Sequence, residues 1–106
     1  MIEFRKIREQ FEFFECCRDP EVASEITVQP VRRYDRLLDA AVIFSDILVV
    51  PQAMGMEVEM VPGKGPTFLH PLESPKDMAR LKKVDIQKDL GYVLDAIRLT
   101  RTKLAG

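Results

Sequence analysis

Apolar residues Phe4, Ile7, Phe11 and Phe14 recur at spacings of three and four with charged side chains between them, which predicts a helix from Ile2 to Cys17. Asp19, Pro20 and Glu21 restart the pattern as cap, first helical residue and acid at the positive end of the helix dipole. This second helix buries Val22, Ala23 and Ile26, Pro30 kinks or ends it, and Arg32, Arg33 and Tyr34 close it. After a polar connection from Asp35 to Asp39, Ala40 to Phe44 is continuously apolar, the mark of a strand buried on both faces. Ser45 and Asp46 then cap a short helix from Ile47 to Met54 that Gly55 terminates. The alternation in Met56 to Val61 predicts a strand with one wet face, followed by a turn over Pro62 to Pro66 and a return strand over Thr67 to Leu69. Ser74, Pro75 and Asp77 open a short helix through Leu81, and Asp85 caps a last helix reaching nearly to Gly106. Ile86, Leu90, Val93, Leu94, Ile97 and Leu104 line that last helix.

These elements do not close into a fold by themselves. Ala40 to Phe44 has the character of a parallel-sheet strand, yet parallel neighbours come from further strand-helix units, and the only other strands form an antiparallel hairpin. The expectation is that another chain completes the sheet or that the sequence is a piece of a larger α/β protein. Asp46 stands where the orphan strand hands over to a helix, a carboxylate in an otherwise apolar run. An ionised acid in such a run is either held by structural hydrogen bonds or kept for chemistry.

Composition narrows the function. The 106 residues carry 16 basic and 17 acidic side chains, a net charge of −1, with no block of either sign to serve as a nucleic-acid footprint. No apolar run is long enough to span a bilayer, and no leader-like segment opens the chain, so a cytoplasmic protein is expected. Cys16 and Cys17 are adjacent, which is poor geometry for a disulfide, and with one distant histidine they make a weak metal site; packing on a helix face is the expected role. His70, between Leu69 and Pro71, reads as a surface residue. The Pro62–Pro66 stretch lacks the fuller glycine and Lys-Ser/Thr pattern of a phosphate cradle and reads as a hairpin turn.

The run from Phe44 through Val58, with Val61-Pro62-Gly63-Lys64-Gly65-Pro66 after it, resembles the uroporphyrinogen decarboxylase family. Cys17-Arg18-Asp19-Pro20-Glu21, Glu25-Ile26-Thr27, Gln29-Pro30, Arg32-Arg33-Tyr34, Thr100-Arg101 and Leu104-Ala105-Gly106 match it in the same order, with a eukaryotic flavour. The resemblance implies a cytosolic, homodimeric enzyme of haem biosynthesis that removes the four acetate carboxyls of uroporphyrinogen to give coproporphyrinogen, without metal or organic cofactor. It implies a fold class of α/β, a partial (β/α)8 TIM barrel with one central strand, a β-hairpin and flanking helices; residues 1–106 form an incomplete fragment of that single domain.

Asp46 matches the family aspartate that accepts hydrogen bonds from the pyrrole N–H groups, so the resemblance makes it the catalytic carboxylate. Val42, Ile43, Phe44 and Ser45 join Asp46 as substrate-binding residues, the first three as an apolar wall. By the same resemblance, the family's arginine motif would lie just before Ile2, and its later tyrosine, serine and histidine would lie beyond Gly106. The chain alone is therefore expected to be inactive. Two alternatives stand beside this reading. One is a non-catalytic truncated protein that associates with itself or with a full-length subunit. The more distant one is a related methyl-transferring barrel, whose zinc-binding His/Cys pattern is absent.

Overall fold

The computed structural model describes residues 1–105; Gly106, where the last predicted helix and the last family motif reach, lies outside the described residues. It divides into two compact units, one holding the residues up to Asp46 together with those from Gly91 onward, the other Ile47–Leu90.

In the first unit, the expected single N-terminal helix is two: α1, Ile2–Gln10, and α2, Phe13–Arg18. Phe11 is extended (φ −129°, ψ 138°), and the Glu12 N–H at the restart donates to the Glu15 carboxylate at 3.0 Å. That local bond offsets the loss of helical bonds across the break. Asp19 closes α2 and opens α3, Pro20–Arg33, its Oδ1 accepting the Glu21 and Val22 N–H groups at 2.9 and 3.4 Å. Pro30 does not end α3. It removes one donor, and the helix runs three residues further, with the Tyr34 N–H closing onto the Pro30 carbonyl at 2.9 Å.

Helix α6, Gly91–Leu104, packs on α3. The two buried residues of α6 are Ala96 and Thr100, and α3 buries Ala23, Ser24, Ile26, Thr27, Val28 and Gln29. Lys103 ties the pair, its Nζ donating to the fully buried Ser24 hydroxyl at 2.7 Å and to Glu21 at 3.4 Å. The apolar spacing puts Ile97 and Leu104 in the core of the last helix, but these stay 38% and 43% exposed. Its continuity with Ile86 also fails. A four-residue helix α5, Ile86–Asp89, ends at Leu90 (φ −126°, ψ 19°), and α6 starts afresh at Gly91, the residue that resists helix most after proline.

The expected strand at Ala40–Phe44 does not form: residues 40–46 carry no regular secondary structure, and Val42 is 87% exposed rather than buried. A strand needs a ladder partner, and the described residues supply none for this segment. The only sheet among them is the hairpin of β1, Val58–Val61, and β2, Gly65–Phe68, antiparallel with Val58 opposite Phe68 and Val61 opposite Gly65. Its turn arises from the residues themselves: Pro62 takes the first corner, Gly63 the second at φ 80°, and the Lys64 N–H reaches the Val61 carbonyl at 3.0 Å.

The short helix before the hairpin is α4, Val49–Ala53, starting after a turn at Ile47 and Leu48. It ends as expected at Gly55, whose φ of 95° lets its own N–H reach the Gln52 carbonyl and the Met56 N–H reach that of Pro51, both at 3.0 Å. The segment opened by Ser74 and Pro75 is a 3₁₀ rather than an α-helix, Pro75–Arg80; Asp77 holds its start by accepting the Glu73 and Ser74 N–H groups at 2.8 and 3.0 Å.

Candidate functional site

Thr27 lies on the packed face of α3, 3% exposed. Its hydroxyl donates to the Ala23 carbonyl one turn back, at 2.7 Å, a common arrangement for a threonine inside a helix. The lone pairs left over accept the Phe44 backbone N–H at 2.8 Å. The Phe44 ring is held from the other side, 5.8 Å from Phe4 and 5.9 Å from Phe13 between centroids and tilted or edge-on to both. The Arg8 guanidinium lies 5.5 Å from the centre of the Phe13 ring. A segment without ladder bonds is thus fixed at Phe44 through one backbone group and one side chain.

Two residues on stands Asp46, half-buried. Its charge, together with the burial of Cys17, which is the larger cause, and with Cys16, pushes the Cys17 thiol up to about 11 despite the opposing effect of Arg18 and Arg8. Asp46 therefore lies close enough to the buried Cys17 thiol to influence it. An ionised carboxylate in this setting is an acceptor for N–H donors and a stabiliser of nearby positive charge.

The residues that sequence singled out come together only as a run. Ile43, Phe44 and Asp46 are half-buried, while Val42 and Ser45 are exposed to solvent. Cys16 and Cys17 are free, buried thiols on α2, as their packing role requires, and His70 is exposed. Among the described residues no group of three or more His, Cys, Asp or Glu side chains is placed to hold a metal ion, and no helix is long and apolar enough to cross a membrane. Arg32 and Arg33 each have an acid, Glu25 and Glu3, at 2.9 Å, along a groove of about 530 Å³ that Lys6 and Gln29 also line. A backbone hydrogen bond and the Arg33 guanidinium hold the Glu3 carboxyl below the usual range. Both arginines of the groove are thus paired with acids, which leaves Lys6 as its one cation without an acid partner among the described residues, and the groove is not a cationic cradle.

Sequence reasoning passes over Thr27 and Phe13. A signal for Thr27 exists: it is four residues from Ala23, and a hydroxyl on a packed face needs partners for its donor and its acceptors. Phe13 falls off the stripe because the helix break at Phe11 shifts the phase of α2 relative to α1.

The described residues form a mixed α/β segment whose irregular apolar run is bonded to the helix core at Phe44 and ends in the half-buried Asp46. Its family is defined by comparison. The family model described as "Uroporphyrinogen decarboxylase (URO-D)" matches residues 1–106, and the chain belongs to the uroporphyrinogen decarboxylase family. It is 60% identical to the uroporphyrinogen decarboxylase of Danio rerio, 57% to that of Homo sapiens and 50% to that of Salinibacter ruber, in each case over 98% of this chain. The chain spans about 28% of the length of the first two relatives and 29% of the third.

Proposed function

We propose that the chain is part of a uroporphyrinogen decarboxylase of haem biosynthesis, and that Asp46 is its central carboxylate. The whole enzyme removes the four acetate carboxyls of uroporphyrinogen to give coproporphyrinogen, needs no cofactor, and is a cytoplasmic homodimer. The observation that carries the reading is the identity of 50–60% along 98% of the chain to proteins of that name. Asp46, at the end of a segment pinned at Phe44, is suited to the task. Loss of CO2 pushes electrons into a pyrrole ring that is first protonated on carbon, which makes the ring cationic. A fixed carboxylate accepting the pyrrole N–H groups stabilises that cation far better than a mobile one in water. Val42, Ile43, Phe44 and Ser45 contribute the neighbouring wall.

In the whole protein, residues 40–44 pair as a strand of a (β/α)8 barrel, and Asp46 stands at its C-terminal end, where such barrels keep their chemistry. The exposure of Leu37 at 76% and Val42 at 87% agrees with a segment built to be covered. The same exposure favours a second reading, in which the chain only associates with itself or with a full-length subunit.

The test replaces the matching quarter of the Danio rerio enzyme with this chain and measures coproporphyrinogen formation. The chimera should turn over, Asp46→Asn should reduce kcat about 100-fold or more, and the 106-residue chain alone should form no product. An inert chimera, or an Asp46→Asn chimera of undiminished rate, defeats the catalytic reading. Sedimentation of the isolated chain as dimers or larger species, with an inert chimera, supports the associative one.

A further inference from the structure

We propose that Thr27 is a positioning residue for Asp46, setting the acid's place through the Phe44 backbone; the inference rests on the catalytic reading of Asp46 given above. Residues 40–46 lack a helix or ladder to define their path. The path at Phe44 is defined instead by a hydroxyl whose own direction is determined. Thr27 Oγ1 has one proton, directed at the Ala23 carbonyl at 2.7 Å, so the Phe44 N–H at 2.8 Å meets lone pairs that cannot rotate away without breaking the first bond.

Thr27 is itself immobilised. It is 3% exposed on the face of α3, a helix packed on α6 and tied to it through Lys103 and Ser24. Its β-branched side chain has few rotamers to choose from in a helix. The chain of constraint therefore runs from the helix core to the Thr27 hydroxyl, to the Phe44 N–H, and along two peptide units to the Asp46 Cα. The Phe44 ring, set against Phe4 and Phe13, keeps Phe44 from pivoting about that hydrogen bond. Hydrogen bonding from behind the reacting group is the means by which a carboxylate is held to the fraction of an ångström that charge stabilisation requires.

Thr27→Val keeps the shape and removes the hydroxyl; Thr27→Ser keeps the hydroxyl and removes a methyl group. In the Danio rerio chimera, Thr27→Val should lower kcat about tenfold or more while KM changes less than about threefold. Thr27→Ser should recover kcat to within about threefold of the parent. In the 106-residue chain, amide hydrogen exchange at Phe44 should quicken in Thr27→Val and stay slow in Thr27→Ser. A loss of stability alone would not divide kcat from KM in this way. Undiminished kcat in Thr27→Val, or a Phe44 amide equally protected in parent and both variants, overturns the proposal. If Asp46→Asn also turns over at the parent rate, the reading of Asp46 has failed; if Asp46→Asn is crippled and Thr27→Val is not, only the positioning role has.

Discussion

Cys17 shows how burial and a neighbouring carboxylate, that of Asp46 in the same unit, govern the charge of one side chain. Burial and the neighbouring carboxylate lift the thiol from its ordinary 9.0 to about 11. The folded chain thus keeps a proton that the unfolded chain releases above pH 9. The thiol's stabilising contribution is accordingly complete below pH 9 and is lost as pH rises through about 11. Thermal melts between pH 8 and pH 11 should show the parent chain losing midpoint faster than Cys17→Ala; parallel curves would refute the assignment. At this scale sequence is informative about Asp46, since an acid in an apolar run must be accounted for, and about the thiols as packing groups. It marks Thr27 only as a hydroxyl one turn from Ala23 that needs partners, and leaves its partner at Phe44 hidden until that segment is placed beside it.

At the scale of elements, most caps are legible and breaks are not; the exception is the cap expected at Ser45 and Asp46, since α4 has Leu48 at its N-cap position with no side-chain cap bond. Asp19, Ser74, Asp85 and Gly55 are each recognisable from residue type and spacing, and each stands at the helix or turn end expected of it. Asp19 serves two helices, its backbone N–H closing α2 onto the Glu15 carbonyl and its carboxylate capping α3. Asp19→Ala should cost about 1 kcal/mol in urea unfolding, and Asp19→Ser should restore most of it. An alanine variant as stable as the parent would mean that Pro20 alone starts α3. The breaks at Phe11 and Leu90 are masked in sequence because the apolar spacing continues across them, and only Gly91 hints at the second. One extended or distorted residue interrupts the backbone without erasing the periodicity. The strand expected at Ala40–Phe44 fails for a different reason: helix and turn signals are local, whereas a strand exists only with its neighbours.

For the molecule as a whole, burial is uneven. Among the described residues twelve are buried, and all but Val49 and Ala53 belong to α2, α3 and α6. The Ile47–Leu90 unit rests on a two-stranded hairpin and short helices, elements of slight stability by themselves. Native-state hydrogen exchange should therefore find the amides of β1 and β2 opening at lower free energy than those of the α3 centre. Equal protection would show one cooperative unit. The division into units is not visible in sequence, since Leu90 and Gly91 read as the middle of a helix.

The bond from Lys103 to Ser24 joins residues 79 apart along the chain. A ribosome delivers α3 long before α6, and the intervening stretch must be gathered into a loop before their faces can meet. During synthesis, therefore, the Ser24 hydroxyl lacks its Lys103 partner until α6 emerges. The segment carrying Asp46 leaves the ribosome early, yet the scaffold that holds it matures only once the residues of α6 have been translated.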